Sequence, residues 1–442
     1  MSSVLWSVYG FVSAFLFGFF TVSLVCRDLD RIYRILFGIF FGFSIVSVNY
    51  FIYLLLDINN FLYYRLGEAI LLTVLAIVWF MTRRRFAKPR EQEKFRVSSW
   101  FAIANVYALM IFLKYFANNP LGHWDGFHIW NIKALFMSID TTKWLYVFRL
   151  PHFMSHNDYP LFLPANTARL WQYSGGESIW VNIIFGAIFT FAVIYLLYFA
   201  IRRFNNKYAA VGAVVVTMMC GTFLVNGAGQ CADIPLAYGI LVSVVLLFFF
   251  FEAKKSCYLV LGVLSAGLCG WIKNDGLMFF LIYLFVLCIY FLWKRQYKNI
   301  GITALAAIPP VVLTVVFKVV CKNPNDLVLG IFMLQTYKNL FDVHKYIFIL
   351  KWIVKFLFER FASMFLLVIL MLKGFEVKSA RAVPFILALV MFVLMCAGYF
   401  AVYLLSPHDL GWILEFSLDR IMLQILPFAV LLIGVSLRLG KE

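Results

Sequence analysis

Stretches of about 18 or more apolar residues recur along this chain from end to end, and no other feature limits its folding as strongly. A run of that length crosses the hydrocarbon of a bilayer as one helix. A soluble chain of 442 residues has no interior large enough to hide so many of them. The runs are continuous rather than alternating, which argues against a closed barrel. The expected fold is all-α, a polytopic membrane protein with about thirteen transmembrane helices. The expected spans are 4–25, 35–56, 66–82, 97–116, 179–201, 208–225, 235–251, 258–272, 277–293, 300–320, 356–372, 383–404 and 421–437. A polar linker, TRRRFAKPREQEKFR at 82–96, divides three N-terminal helices (1–96) from the remainder (97–442). The start, MSSVLWSVYG, lacks a basic segment ahead of its apolar run, so the first helix is expected to remain rather than be cleaved.

The net charge of +17 points first to nucleic acid, but its placement argues otherwise. The basic residues stand in short clusters between apolar runs: Arg83-Arg84-Arg85, Arg202-Arg203, Lys254-Lys255, Lys294-Arg295. That is the pattern of cytoplasmic helix ends, and no soluble basic domain is present to read nucleic acid. The N-terminus is then expected outside and the C-terminus in the cytoplasm. The alternate loops differ in kind. They comprise 117–178, 321–355, 405–420 and tight turns near 226–234 and 273–276, and they hold all six histidines and most of the acids. Groups able to do chemistry are therefore gathered on the outer face. The eight cysteines include no CxxC pair. Most read as small buried hydrophobes, and Cys231 and Cys321, both expected outside, leave room for one disulfide.

The outer stretch HWDGFHIWNIK, His123 to Lys133, packs an acid, two histidines and a lysine into eleven residues. Phe127, Trp130, Ile132, Leu135 and Phe136 recur at helical spacing, as do Ile353, Phe356, Leu357 and Phe361. Both stretches suit helices lying in the interface plane, and the second equally suits an ordinary packed loop helix. Further motifs meet at this face: Asn157-Asp158-Tyr159-Pro160, Ala232-Asp233-Ile234-Pro235, Lys273-Asn274-Asp275-Gly276 and Ser417-Leu418-Asp419-Arg420.

Ionisable residues at membrane depth are costly, so each asks for a reason. Plain readings exist: Asp233 capping a helix before Pro235, Asp275-Gly276 as a turn, Lys273 snorkelling, Asp158 capping or turning ahead of Pro160. The chemical reading makes Asp125 a general base. Lys273 and Arg420 would hold a phosphate by charge-assisted hydrogen bonds. Trp124, Trp130, Tyr159 and Trp171 would stack on sugars, with His128, Asp158, Asp233, Asn274 and Asp275 completing the substrate-binding set. No metal or cofactor is expected. His152 and His156 are four apart, but Pro151 precedes them, HExxH is absent, and no DxD pair of the kind that chelates a metal under a nucleotide diphosphate stands in the outer loops; no G-x-S-x-G supports hydrolysis either.

The ordered series WDGFHIWNIKALF, NDYPLFLP, ADIPLAYG, KNDGL and SLDRIMLQILP resembles bacterial multi-pass glycosyltransferases of the GT-C superfamily. These are related to the dolichyl-phosphate-mannose-protein mannosyltransferases and the lipid A aminoarabinose transferases. The resemblance covers roughly 98–437 and implies a helical core whose long first outer loop, here 117–178, carries interfacial helices and a catalytic acid, here Asp125. It further implies a polyprenyl-phosphate sugar donor, inversion at the anomeric carbon, Lys273 and then Arg420 beside the donor phosphate, and Asp158 and Asp233 orienting acceptor or loop. The partners would be that donor, a lipid, glycan or protein acceptor and membrane lipids. The setting would be the bacterial cytoplasmic (inner) membrane with its site facing the periplasm. Two departures stand out: Gly126 follows Asp125 where many members have a second acid, and three spans precede the loop. The rival readings are a lipid-linked glycan transporter or flippase, for which Pro309-Pro310 interrupts a span, and a glycan polymerase or ligase.

Overall fold

In hydrocarbon a backbone N–H has no partner but its own chain, so apolar runs close into helices. The protein is described here from a computed structural model covering residues 2–82, 99–149, 156–322, 339–406 and 408–437. The expected polar linker at 82–96, apart from Thr82, and His152 lie outside the described residues. The long helices are α1 (Ser2–Val25), α2 (Arg31–Leu55), α3 (Phe61–Thr82) and α4 (Ser99–Asn118). A connection then carries a π-helical turn (Gly126–Asn131), α5 (Ile132–Ile139), a 3-10 turn (Trp144–Arg149) and α6 (Phe162–Ser174). There follow α7 (Ile179–Phe204), α8 (Lys207–Met219), α9 (Gly221–Ala228), α10 (Asp233–Ala253), α11 (Ser256–Ile272), α12 (Asn274–Trp293) and α13 (Tyr297–Cys321). The chain closes with α14 (Val343–Arg360), α15 (Ala362–Lys373), α16 (Ala382–Leu404) and α17 (Leu410–Ser436).

The protein is an all-α, multi-pass membrane protein. Among the described residues ten helices are long and apolar enough to cross a membrane, or eleven if α8 and α9, bent by 66°, form one span. This is fewer than the thirteen expected, for two further physical reasons. Helix α11 has 17 residues, about 26 Å of helix against about 30 Å of hydrocarbon. The span expected over 356–372 is cut at Phe361 into α14 and α15. Conversely, Pro309 and Pro310 do not interrupt their span; both lie inside the continuous helix α13. The last span begins at Leu410 rather than near 421, which places Ser417–Arg420 inside a helix instead of at its mouth.

The connections sort to two ends. At one, Arg203 pairs with Asp30 at 3.0 Å and Glu252 at 3.2 Å, and Lys255 pairs with Asp28. There too the Asn205 amide donates to the Gly434 and Leu437 carbonyls at 2.8 and 2.7 Å. This is the basic end. At the other, Thr141 donates to the Ile58 carbonyl at 3.0 Å and the His123 amide to the Gly229 carbonyl at 2.9 Å. Because α8 starts beside Asn205 and α9 ends beside Gly229, the bent pair runs from one end to the other. Its break lies against the second break, with the Cys220 thiol 3.6 Å from the Arg360 carbonyl.

At the centre stands α10, buried from Asp233 to Phe251. Elsewhere small residues set the packing, as they do where lipid competes equally with side chains. A Cβ on Gly18 would fall 1.8 Å from the Gly38 carbonyl oxygen, and one on Gly42 1.9 Å from that of Ala14, so α1 and α2 touch backbone to backbone. The N-terminal helices are tied to the long connection by a buried ion pair. Arg169 on α6 donates to Glu68 on α3 at 2.6 and 2.7 Å, to the Ser13 hydroxyl at 2.6 Å and to the Gly10 carbonyl at 2.9 Å on α1.

All eight cysteines are free. The disulfide considered for Cys231 and Cys321 is not formed; Cys231 is buried in the connection between α9 and α10, and Cys321 at the end of α13.

Candidate functional site at the loop end

The stretch following α4 turns back sharply on two glycines. Gly122 has φ +81°, a left-handed backbone that side chains resist. A Cβ on Gly126 would sit 2.6 Å from the Gly229 carbonyl oxygen, so Gly126 serves close approach to the α9–α10 connection rather than flexibility. Asp125 stands at the head of the π-helical turn, a local widening of the helix that frequently marks functional sites. Its carboxylate is ion-paired with the Arg420 guanidinium of α17. Only Nη1 of Arg420 makes this contact, and its Nε is buried without a hydrogen-bond partner. Around the pair Trp124 and Phe127 are exposed, as are Phe416 and Trp412 one and two turns earlier on α17. His128 stacks on Trp124 with ring centres 4.5 Å apart. His123 is held below the ordinary histidine range by burial first and the Arg420 charge second.

A second cluster lies deeper. The Lys273 ammonium, in the turn between α11 and α12, meets Asp233 at 2.9 Å and Asp275 at 3.2 Å. Gln424, one turn beyond Arg420, donates to the same two carboxylates at 2.6 and 3.2 Å and accepts from the Tyr399 hydroxyl at 2.6 Å. Burial opposes the ammonium charge, but Asp233 and Asp275 hold its pKa well above the usual lysine range. Lys273 is thus a closed, paired cation and not a snorkelling one. Asp233 spends its carboxylate on Lys273 rather than on a cap, and Ala232 occupies the N-cap position of α10 without a side-chain bond.

The third cluster joins the long connection to α12 and α13. The Asn274 amide donates to the Asp158 carboxylate, and the Lys318 ammonium to the Asp158 carbonyl at 2.8 Å. Tyr159 is layered between Trp130 and His156, at 5.5 and 5.1 Å, with Lys273 5.8 Å from its ring centre. Lys133, fully buried, donates to the carbonyls of His156 at 2.7 Å and Tyr159 at 3.5 Å. Burial lowers its pKa to about 7, against the raising influence of Asp158.

The chosen residues therefore meet at one end of the bundle in three adjoining groups: Asp125 with Arg420, Lys273 with Asp233 and Asp275, Asn274 with Asp158 and Tyr159. Three of the four aromatic platforms do not serve as such: both ring faces of Tyr159 are covered, by Trp130 and His156. Trp130 is buried against Tyr159, and Trp171 is 4% exposed with its Nε1 donating to Asn182 at 3.0 Å. The helical stripe of the connection is present but rotated by about one residue: Ile129, Trp130, Lys133, Ala134 and Met137 face inward. Sequence reasoning missed Gln424 and Tyr399. The signal for Gln424 was its position four residues after Arg420, on the same helix face. No family model, no curated protein and no solved structure matches the chain.

Proposed function

We propose that the chain is a GT-C-type membrane glycosyltransferase that takes a sugar from a polyprenyl-phosphate donor at the non-cytoplasmic face. The observation that carries this reading is the Asp125–Arg420 pair among exposed aromatics, with guanidinium N–H capacity left over. Arg420 then holds the donor phosphate, which the fork of a guanidinium suits. Lys273, already matched by two carboxylates, fixes the charged floor beneath it, so the phosphate role expected of Lys273 falls to Arg420. Asp125 takes the proton of the acceptor hydroxyl or amine as that atom attacks the anomeric carbon. The bond from that carbon to the phosphate oxygen breaks, and the electron pair leaves on the lipid phosphate, whose charge Arg420 balances. Attack opposite the leaving group inverts the centre. Trp124 and His128 offer the sugar a face, and Asp158, Tyr159, Asn274, Asp233 and Asp275 shape the pocket wall.

Transfer of radiolabelled sugar from a polyprenyl phosphate by the purified protein tests the reading. Asp125→Asn is expected to lower turnover by about a hundredfold or more, the scale of a lost general base, while donor binding persists. Arg420→Gln is expected to weaken donor binding first. Near-normal transfer by Asp125→Asn overturns the assignment of the base.

A transporter of lipid-linked glycans is the second reading, favoured by the two helix breaks that meet at Cys220 and Arg360. It predicts movement of intact donor between leaflets and no release of sugar from it.

A further inference from the structure

A cavity of about 550 Å³ opens at the loop end between the start of α3, the end of α5 and the end of α6. It is separate from the Asp125 group: the π-helical turn and α5 together set their far end about 20 Å from Asp125. Its walls are Phe61, Leu62, Leu135 and Ile139, and its charged residues are Arg65 and Glu177. Beside it one face of α3 is largely uncovered, with Leu62, Leu66 and Ile70 all more than half exposed. The cavity therefore lies where a lipid headgroup would sit, at the mouth of an apolar helix face.

Arg65 is fixed and underused. Its guanidinium carbon lies 4.7 Å from the Trp6 ring centre, 4.9 Å from Phe61 and 5.4 Å from Tyr173. Its Nη2 donates to the Gln172 carbonyl at 3.1 Å, and its Nε is buried with no hydrogen-bond partner. The buried Arg169 and the half-buried Arg420 at this end have carboxylates, Glu68 and Asp125; among the described residues the half-buried Arg65 has none. A half-buried guanidinium boxed by aromatic rings, with N–H groups left over, is a receptor for phosphate. Glu177 lines the same cavity and forms no ion pair with it, which leaves a carboxylate for a cation on the same ligand.

We propose that this cavity binds a phosphate ester that also carries an amine, the chemistry of a phosphoethanolamine headgroup, with phosphate on Arg65 and ammonium on Glu177. A volume of this size is ordinary for such a ligand. Continuity with the largely uncovered face of α3 favours the membrane phospholipid over a soluble ester of the same chemistry.

The test uses the full chain, delipidated in detergent and read by native mass spectrometry and melting temperature. Three probes are compared: short-chain phosphatidylethanolamine, short-chain phosphatidylglycerol and soluble glycerophosphoethanolamine. The ethanolamine lipid is expected to bind and raise the melting temperature, and Arg65→Gln to weaken it about tenfold or more, the scale of a lost charge-assisted contact. Glu177→Gln, at an exposed position, is expected to keep the fold and erase the preference for ethanolamine over glycerol. Leu62→Trp, which fills the mouth, is expected to block binding and guards against a folding defect in Arg65→Gln. Equal binding of the soluble ester supports the site and assigns it to a solute. Equal lipid binding by wild type and both Arg65→Gln and Leu62→Trp, or no headgroup preference in wild type, overturns the proposal. No transfer reaction enters this readout, so it stands or falls apart from the proposed activity.

Discussion

Lys273 shows how one side chain can be chemically conspicuous and structurally committed at once. It is 6% exposed and neutralised by two carboxylates. Lys273→Met leaves both acids without their cation, at a cost of about 3–5 kcal/mol, because the desolvation of the acids is then uncompensated. A loss of melting temperature in detergent that exceeds that of Arg420→Gln is the expected result. Lys133 gives a pH signature. Burial lowers its pKa from 10.5 to about 7, so between those values the unfolded chain binds a proton that the folded chain does not. Stability from this group therefore rises with pH from about 7 towards 10. Melting curves of wild type and Lys133→Met are expected to diverge over that window in favour of wild type; parallel curves would show that Lys133 stays charged. Charged residues at the ends of apolar runs were legible in the sequence, which is why Asp125, Lys273, Asp233 and Arg420 could be picked. Their partners were not. Gln424 and Tyr399 are neutral and sit within apolar runs, where they read as ordinary helix residues.

Among the elements, the tie between α6 and the N-terminal helices makes the sharpest prediction. Glu68 and Arg169 are both almost wholly buried, so removing one partner strands the other in the interior. Glu68→Ala is expected to cost about 3–5 kcal/mol, and Glu68→Met with Arg169→Met to recover much of it. A double-mutant cycle of melting temperatures checks the coupling. Protease cutting within 117–178 is expected to rise in the single variant and not in the double, since α6 is then reseated on apolar contacts. The helices themselves were legible, because continuous apolar runs admit one structure in lipid. Their interruptions were less so. The break after Cys220 does precede Gly221, but Phe361 has no local signal, and Pro309-Pro310, the strongest breaker in sequence, sits in an unbroken helix. Neighbours decide these cases, not propensity. The link from Arg169 to Glu68 spans about a hundred residues and crosses the expected division at 96, so it could not be read from either segment alone.

For the whole molecule the reading rests on sidedness. Among the described residues, the connections around Asp30, Asn205, Lys255 and Leu437 meet at one end and those around Ile58, His123, Thr141 and Gly229 at the other. Thiol labelling assigns the ends to their compartments. Glu177→Cys is expected to react with an impermeant reagent from outside intact cells, and Gln296→Cys only after permeabilisation, relative to the eight native cysteines as background. The reverse pattern would remove the lipid-linked donor from reach. The backbone contact of α1 with α2 through Gly18, Gly38 and Gly42 has one more consequence. Two helices locked without intervening side chains cannot part to admit a long isoprenoid tail, because separation would cost their entire contact at once. Any lateral doorway must lie where side chains alone bound the bundle, and the thinly covered flank of α4, with Trp100, Ile103 and Met110 turned outward, is the stretch of wall that can yield.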